Sequence, residues 1–287
     1  MEKPYLKPEQ LTAKVLGAYS AIANPRVREL IQALIKHWHA FVIEAKLSES
    51  EWEYAWQFLT QMAEMTHQGQ NEFILAADVL GVSQLIEMIN HPPEATQVGY
   101  ALLGPFYREN PPWRDRGAFI GTEDTEGERV FITGKVVNAS GQPIANAVVD
   151  VWQAATNGFY ENQDPNQTTM NLRGRFKTDN DGTYELFALM PTPYPVPTNG
   201  PIGDLLAIAN RHPYRPAHIH FIVSAPDFET LVTQVFVAGD KIIATDVVFT
   251  AMENMIGHFK KAKDYFLLEY DFQLIPGEST YPEAPVK

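Results

Sequence analysis

The stretch "RVFITGKVVNASGQPIANAVVDVWQA", residues 129–154, decides the fold class. Two runs rich in β-branched residues flank a turn at Ser140–Gly141, so the stretch predicts a strand, a turn and a second strand. Farther along, "GRFKTDNDGTYELFAL" predicts a hairpin around Asp181–Gly182. Two more short strands are predicted at 217–226 ("AHIHFIVSAP") and 231–240 ("LVTQVFVAGD"). Short strands with frequent turn residues and no alternating helices indicate a mainly β protein, built as an antiparallel β-sandwich.

Upstream of this region the apolar spacing is helical. In "NPRVRELIQALIKHWHAF", residues 24–41, apolar side chains recur at steps of three and four, and Asn24 is the candidate N-cap. Ser48 and Glu51 have the spacing of a capping box, which predicts the start of a second helix.

A third helical segment is predicted over "NEFILAADVLGVSQLIEMIN", residues 71–90, with Gly81 as a weak point inside it. After this segment the helical spacing of apolar residues ends, and from about Arg129 they recur with a period of two. We therefore predict two domains, a helical N-terminal domain (1–95) and a β-sandwich domain with long loops (96–287).

Charge and composition exclude several classes of partner. The formal net charge of −13 argues against a nucleic acid or an anionic membrane, because both require a basic surface. No segment reaches the roughly 18 apolar residues of a membrane span, and "MEKPYLKPEQLTAKV" lacks the apolar core of a signal peptide. Without Cys there are no disulfides and no zinc-thiolate sites. These features predict a cytoplasmic protein in which any metal has nitrogen and oxygen ligands.

The H-x-H pair His218 and His220 is a candidate metal site. In a strand, residues i and i+2 share a face and lie about 6–7 Å apart at Cα, so both rings can reach one ion. The pair His37 and His39 has the same spacing in a predicted helix, where the side chains point about 200° apart. The spacing alone therefore does not identify a site, and one buried and one exposed histidine remain the ordinary alternative.

Two tyrosines could complete the set of ligands. Tyr160 follows a predicted strand, and Tyr194 lies in the Pro-rich loop "MPTPYPVPTNGPIG". A phenol with a pKa of about 10 is a poor ligand for divalent ions, whereas a hard trivalent ion stabilises the phenolate. Two His and two Tyr together thus indicate Fe(III), although either tyrosine taken singly fits a core or rim position.

The motifs "WQAATNGFY", "RGRFKTDNDGTYEL", "MPTPYPVPTNGP" and "NRHPYRPAHIHFIVSAP" resemble, in this order and spacing, the intradiol ring-cleavage dioxygenases. The resemblance covers most of residues 25–250. It implies a non-haem Fe(III) enzyme that uses O2 to open a catecholic ring between two adjacent hydroxyls. Within the family, "YPVPTNGPIG" and "RHPYRPAHIHF" are most similar to the hydroxyquinol (1,2,4-trihydroxybenzene) 1,2-dioxygenases.

The resemblance also implies roles for individual residues. One Fe(III) per subunit would be held by Tyr160, Tyr194, His218 and His220, with Tyr194 as the ligand released on substrate binding. Arg215 and Gln234 would act beside the iron. The substrate pocket would be formed by Leu75, Asp78, Leu103, Gly104, Pro105 and Phe106. The family pattern further implies a homodimer through the N-terminal helices, in some members around a bound lipid.

Two departures from the family pattern leave the substrate open among hydroxyquinol, catechol, substituted catechols and pyrogallol-type triols. Directly after the junction loop "LLGPF" (102–106), where the helical and β regions meet, the chain reads "YRENPPWRDRGAF" in place of a usually shorter stretch. Tyr214 stands where hydroxyquinol enzymes often have Trp. Other classes compete with the whole interpretation. A non-catalytic β-sandwich binding module would fit residues 129–154 alone. A divalent-metal hydrolase would need a carboxylate beside the His pair.

Overall fold

A computed structural model describes residues 6–67, 69–92 and 98–284 of the chain. The chain divides into two compact units, one ending at Thr60 and the other beginning at Gln61. The predicted boundary between residues 95 and 96 lies outside the described residues and stays a prediction. Within the described ranges, no helix combines the length and apolarity that crossing a membrane requires.

The helices are α1 (Pro8–Ala18), α2 (Pro25–Ala45), α3 (Glu49–Met65), α4 (Glu72–Val79), α5 (Val82–Asn90) and α6 (Pro201–Ile208). The predicted start of α2 is confirmed, because the Asn24 side chain accepts hydrogen bonds from the N–H groups of Arg26 and Val27. The predicted capping box is also confirmed: the Ser48 N–H donates to Glu51 Oε2, and the Glu51 N–H donates to Ser48 Oγ.

The helical segment predicted over residues 71–90 consists of two separate helices, α4 and α5, which meet at the weak point Gly81. Gly81 has φ +73°, a left-handed conformation that costs glycine little and ends helical geometry. An apolar periodicity that continues across a break cannot reveal the break. Gly81 was the available signal, and it marks the junction.

In the N-terminal unit, the apolar side of α2 remains exposed. Leu30, Leu34, Trp38 and Phe41 are 44–55% exposed. Between α1 and α2, Thr12 Oγ1 and His39 Nδ1 lie 3.0 Å apart.

The strands are β1 (Arg129–Asn138), β2 (Val148–Trp152), β3 (Arg173–Lys177), β4 (Thr183–Leu189), β5 (Tyr194–Pro195), β6 (Tyr214–Arg215), β7 (His218–Ser224), β8 (Leu231–Val237), β9 (Ile256–Gly257), β10 (Lys260–Lys261), β11 (Phe266–Glu269) and β12 (Phe272–Leu274). One sheet has the order β10-β11-β1-β12, with β4 also paired to β1. The second has the order β3-β2-β7-β8-β9, and β5 pairs with β6. The predicted β-sandwich with N-terminal helices is confirmed. Most pairings are antiparallel, whereas β1–β11, β1–β12 and β8–β9 are parallel.

The predicted hairpin around Asp181–Gly182 is wrong. The turn is present, but β3 pairs with β2 in one sheet and β4 pairs with β1 in the other. The chain therefore passes from one sheet to the other at this turn. Local turn residues specify a reversal of direction but not which strands become hydrogen-bonded partners.

The core lies between the two sheets and explains the alternation in β7. Ile219, Phe221 and Val223 point into the core with the apolar side chains of β1 and β4. His218 and His220 point to the opposite side, as the period of two along a strand requires. Between β8 and β9 the chain forms two short 3-10 turns, Ile243–Thr245 and Glu253–Met255, and no α-helix.

Candidate active site

Four side chains converge on the face of β7 that points away from the sandwich core. The Tyr160 hydroxyl lies 2.9 Å from His220 Nε2 and 3.1 Å from the Tyr194 hydroxyl. His218 Nε2 lies 3.1 Å from His220 Nε2 and 3.4 Å from the Tyr194 hydroxyl. All four residues are buried. The structure thus brings together the four residues that the family resemblance suggested as ligands.

Different elements supply these side chains. The two histidines lie on β7, a central strand of its sheet. Tyr160 follows β2 in a loop whose start is held by the Ala155 N–H, which donates to the Phe159 carbonyl at 2.9 Å. Tyr194 lies on the two-residue strand β5, where it pairs with Arg215. The Pro-rich loop is therefore ordered at the residue that faces the histidines.

The donor spacing fits a single metal ion. An ion with bonds of about 2.0–2.1 Å holds its donors roughly 2.9 Å apart at a right angle and roughly 3.4 Å apart at the tetrahedral angle. The four separations above run from 2.9 to 3.4 Å. Within the described ranges, no three His, Asp or Glu side chains group as metal ligands, so the tyrosines are what complete this set.

The protonation of these groups suits metal binding. Burial, followed by the charge of Arg215, lowers the pKa of His218 to about 3, and burial holds the pKa of His220 well below its usual range. His218 Nδ1 lies 2.6 Å from the Pro216 carbonyl oxygen, which can only accept, so Nδ1 carries the proton and Nε2 keeps its lone pair. Burial raises the pKa of Tyr160 well above its usual value. A phenolate at this position therefore needs a cation beside it.

Arg215 is buried next to the four donors. Its Nη2 donates to Gln234 Oε1 at 2.8 Å, and its Nη1 lies 3.3 Å from His218 Nε2. Burial opposes the charge of Arg215, but the carboxylate of Asp246, 3.4 Å away, raises the pKa of Arg215 above its usual value. Arg215 therefore stays cationic beside the donors. Gln234 Nε2 donates to the Leu102 carbonyl at 2.8 Å, which ties this network to the junction loop.

A cavity opens above Tyr194, Arg215 and His220. All six residues predicted for the substrate pocket line it: Leu75, Asp78, Leu103, Gly104, Pro105 and Phe106. Leu102, Trp152, Val196, Pro197 and Val248 line it as well and were not predicted. Val196 and Pro197 follow Tyr194 directly, so their position in the loop was an available signal. Val248 comes from an irregular segment that carries no motif.

Asp78 contributes the carboxylate of this cavity. It is 8% exposed, and burial raises its pKa against the opposing effects of a Ser83 hydrogen bond and the charge of Arg215. A buried carboxylate that faces a cavity can accept a hydrogen bond from a ligand.

Comparisons with known proteins agree with this geometry. A family model described as Dioxygenase matches residues 102–276, and one described as Catechol dioxygenase N terminus matches residues 24–97. The hydroxyquinol 1,2-dioxygenase of Rhizobium sp. (strain MTP-10005) is 39% identical over 91% of this chain and 88% of its own length. For the catechol 1,2-dioxygenase of Candida albicans, the identity is 35% over 96% and 95%.

Among solved structures, the hydroxyquinol 1,2-dioxygenase of Pseudomonas putida DLL-E4 superposes with a TM-score of 0.89 and 34% identity, covering 94% of this chain and 99% of that one. The fold, the family models and these relatives lead to one conclusion: the chain is an enzyme that belongs to the intradiol ring-cleavage dioxygenase family.

Proposed function

We propose that this enzyme uses O2 to open hydroxyquinol between two adjacent hydroxyls, giving 3-hydroxy-cis,cis-muconate or its keto form maleylacetate. The observation that carries the proposal is the Asp78 carboxylate, which lines the same cavity as Tyr194 and His220. Relatives named as hydroxyquinol 1,2-dioxygenases support the choice of substrate. Catechol, a substituted catechol or a pyrogallol-type triol is the alternative.

The donors suit one Fe(III) per subunit, held by Tyr160, Tyr194, His218 and His220. Their spacing supports a single ion, and two phenols favour a hard trivalent one. When bound, ferric iron supplies Lewis-acid chemistry, which holds the diol through both oxygens and makes the electron-rich ring reactive toward O2.

Tyr194 is the residue we assign to leave when the diol binds. The cavity has a volume of about 40 Å³, which suffices for a few water molecules but not for an aromatic ring. Tyr194 forms part of its wall on a two-residue strand. A side chain must therefore move to admit the substrate. The hydroxyl oxygen of Tyr194, once released as phenolate, can accept one proton of the diol.

Arg215 stabilises the anionic form of the bound diol, because it is buried, cationic and directed at the donors. Gln234 orients Arg215 through the hydrogen bond to Nη2. Arg215 lines the cavity, so we assign it a role in catalysis, and Gln234 shares in that role by holding Arg215 in place.

Asp78 selects a third hydroxyl. Hydroxyquinol can donate a further hydrogen bond to this carboxylate beside the one from Ser83, whereas catechol cannot supply that bond, and a missing hydrogen bond to a buried charge is costly. The test is oxygen uptake with hydroxyquinol, catechol and pyrogallol, together with product spectra. Asp78→Ala should lower the hydroxyquinol-to-catechol ratio of kcat/KM by about 10- to 100-fold, the cost of one hydrogen bond to a charged group.

The matched control is Asp204→Ala, an exposed aspartate on α6, which should leave that ratio unchanged. An unchanged ratio in Asp78→Ala would remove Asp78 from substrate selection. Failure to oxidise any of the three compounds would contradict the proposed activity itself.

The colour of the protein tests the iron site. Iron-loaded protein should be reddish from phenolate-to-iron charge transfer, and the band should shift when a catecholic compound binds. Tyr160→Phe removes one of the two phenolates and should weaken and shift the band, whereas Tyr184→Phe, which changes a buried tyrosine in the sandwich core, should leave it unchanged. A colourless iron-loaded wild type would contradict the site.

We further propose a homodimer through the exposed apolar side of α2, with a lipid in the adjacent groove. The groove has a volume of about 570 Å³ and is lined mainly by apolar residues of α1 and α2 such as Leu11, Ile31 and Trp38. Exposed apolar area of this kind favours burial against a partner. Light scattering should give twice the chain mass, and organic extraction should release a lipid. A monomeric mass would refute the proposed homodimer. A dimer that releases no lipid on extraction would refute the proposed lipid.

A further inference from the structure

The two histidines of the site are fixed in different ways. Nδ1 of His218 donates to the Pro216 carbonyl oxygen at 2.6 Å. Such a bond sets both the tautomer and the ring plane of a metal-binding histidine. His218 therefore has the usual support for its role.

His220 lacks this support. Its Nδ1 atom is buried and has no hydrogen-bond partner in residues 6–67, 69–92 and 98–284, although its Nε2 atom faces Tyr160 and His218. Rotation about the bond between Cβ and the imidazole ring is soft, with broad minima. Something other than a hydrogen bond must hold the ring plane, because Nε2 swings away from the other donors when the ring turns.

Trp152 lies directly opposite His220 in the β2–β7 ladder. The two rings are stacked, with centroids 4.6 Å apart and planes only 12° from parallel. Trp152 is 1% exposed, and Tyr107 packs against it at 5.0 Å. The indole is therefore confined by packing and presents a flat, immobile face to the imidazole.

The indole N–H of Trp152 is itself buried without a hydrogen-bond partner among the described residues. A buried tryptophan normally finds such a partner. A hydrogen bond from the indole therefore does not account for a tryptophan at this position. Its stacking on His220 does.

We infer that Trp152 is a positioning residue that fixes the plane of the His220 imidazole by stacking, where His218 uses a hydrogen bond. The inference rests on the proposed iron site, since it concerns one of its ligands. The rigidity of the His220 imidazole ring, which this inference concerns, can nevertheless be measured in protein that contains no iron.

The first experiment uses iron-free full-length protein with 13C-labelled histidine. Relaxation at Cε1 reports the order of each ring, and His218→Gln and His220→Gln assign the two signals. Trp152→Leu should lower the order parameter of His220 and leave that of His218 unchanged. Trp152→Phe, which restores a smaller stacked ring, should give an intermediate value for His220, and it carries the test if Trp152→Leu does not fold.

The matched control is Phe221→Leu, which removes a buried ring from the other face of the same strand. It should leave both histidine rings as ordered as in the wild type. Equal loss of order at both histidines in Trp152→Leu, an unchanged His220, or the same effect from Phe221→Leu would overturn the inference.

The second experiment uses iron-loaded protein and follows iron loss to EDTA. Trp152→Leu should lose iron about 10-fold faster than wild type, the low end of the effect of removing a residue that supports a metal ligand. Trp152→Phe should recover most of this difference, and Phe221→Leu should match wild type. Unchanged loss in Trp152→Leu would count against the inference. A wild type that never binds iron would instead contradict the proposed function, while the ring-order measurement would stand.

Discussion

Replacing Asp246 with Asn should destabilise the protein strongly, because this carboxylate compensates a buried cation. Asp246 is 3% exposed and Arg215 is 4% exposed. Oδ2 of Asp246 accepts from Arg215 Nη2 at 3.4 Å and from the N–H groups of Thr250 at 3.0 Å and Ala251 at 3.2 Å. The substitution preserves shape but removes the charge, and an amide nitrogen at the position of Oδ2 would meet three donors.

The magnitude follows from these contacts. Removing one partner of a buried ion pair costs about 3–5 kcal/mol, and three lost hydrogen bonds at about 1 kcal/mol each give a similar figure. In a chain of this size, 1 kcal/mol shifts the Tm by about 2–4 °C. We therefore expect the Tm of Asp246→Asn to fall by about 6–20 °C in thermal unfolding followed by circular dichroism.

Asp271→Asn is the control, because Asp271 is exposed and also accepts from a backbone N–H, that of Lys135, at 2.7 Å. Its Tm should change by at most a few degrees. The double variant Arg215→Gln/Asp246→Asn should be more stable than Asp246→Asn alone, since no charge is then buried without its partner. Equal shifts for Asp246→Asn and Asp271→Asn, or additive effects in the double variant, would refute the reasoning.

Three further substitutions test other contacts by urea denaturation. Gly200→Ala should cost about 1–3 kcal/mol of unfolding free energy, because a Cβ at this position would lie 2.8 Å from the Glu72 carboxylate; wild-type stability would show that this contact relaxes freely. Tyr184→Phe should cost about 1 kcal/mol, since the hydroxyl donates to a backbone carbonyl at 2.6 Å, and no loss would mean that water replaces the bond. Ser48→Ala should cost about 0.5–2 kcal/mol by removing one half of a capping box, whereas Ser48→Thr, which keeps the hydroxyl, should cost less.

The β-sandwich could be predicted from sequence because its main signals are local. Alternation along β7 predicts that His218 and His220 share a face, and the structure places Ile219 on the other face. The chain's passage from sheet to sheet at Asp181–Gly182 could not be predicted in this way, because strand pairing depends on residues far apart in sequence.

The site, like the fold, has parts with a local signal in the sequence and parts without one. The H-x-H spacing permits a metal site, and the positions of Tyr160 and Tyr194 make them candidates, but their assignment as ligands depends on the resemblance of whole motifs to a family. Trp152 faces His220 only because β2 and β7 pair in one particular register. Asp246 reaches Arg215 from an irregular segment whose sequence has no period. Neither residue has a local signature in the sequence, because Trp152 depends on the pairing of distant strands and Asp246 on the course of an irregular segment.

The mechanical support of His218, His220 and Tyr194 differs in a way that matches the proposed reaction. His218 and His220 lie on a central strand whose opposite face is buried in the sandwich core, so moving either histidine disturbs that core. Tyr194 lies on a two-residue strand whose one partner among the described residues is the equally short strand Tyr214–Arg215. Breaking a pairing of two residues requires far less free energy than displacing a core strand. Of these three donors, Tyr194 can therefore leave at the lowest cost, which agrees with its proposed role as the ligand that the substrate displaces.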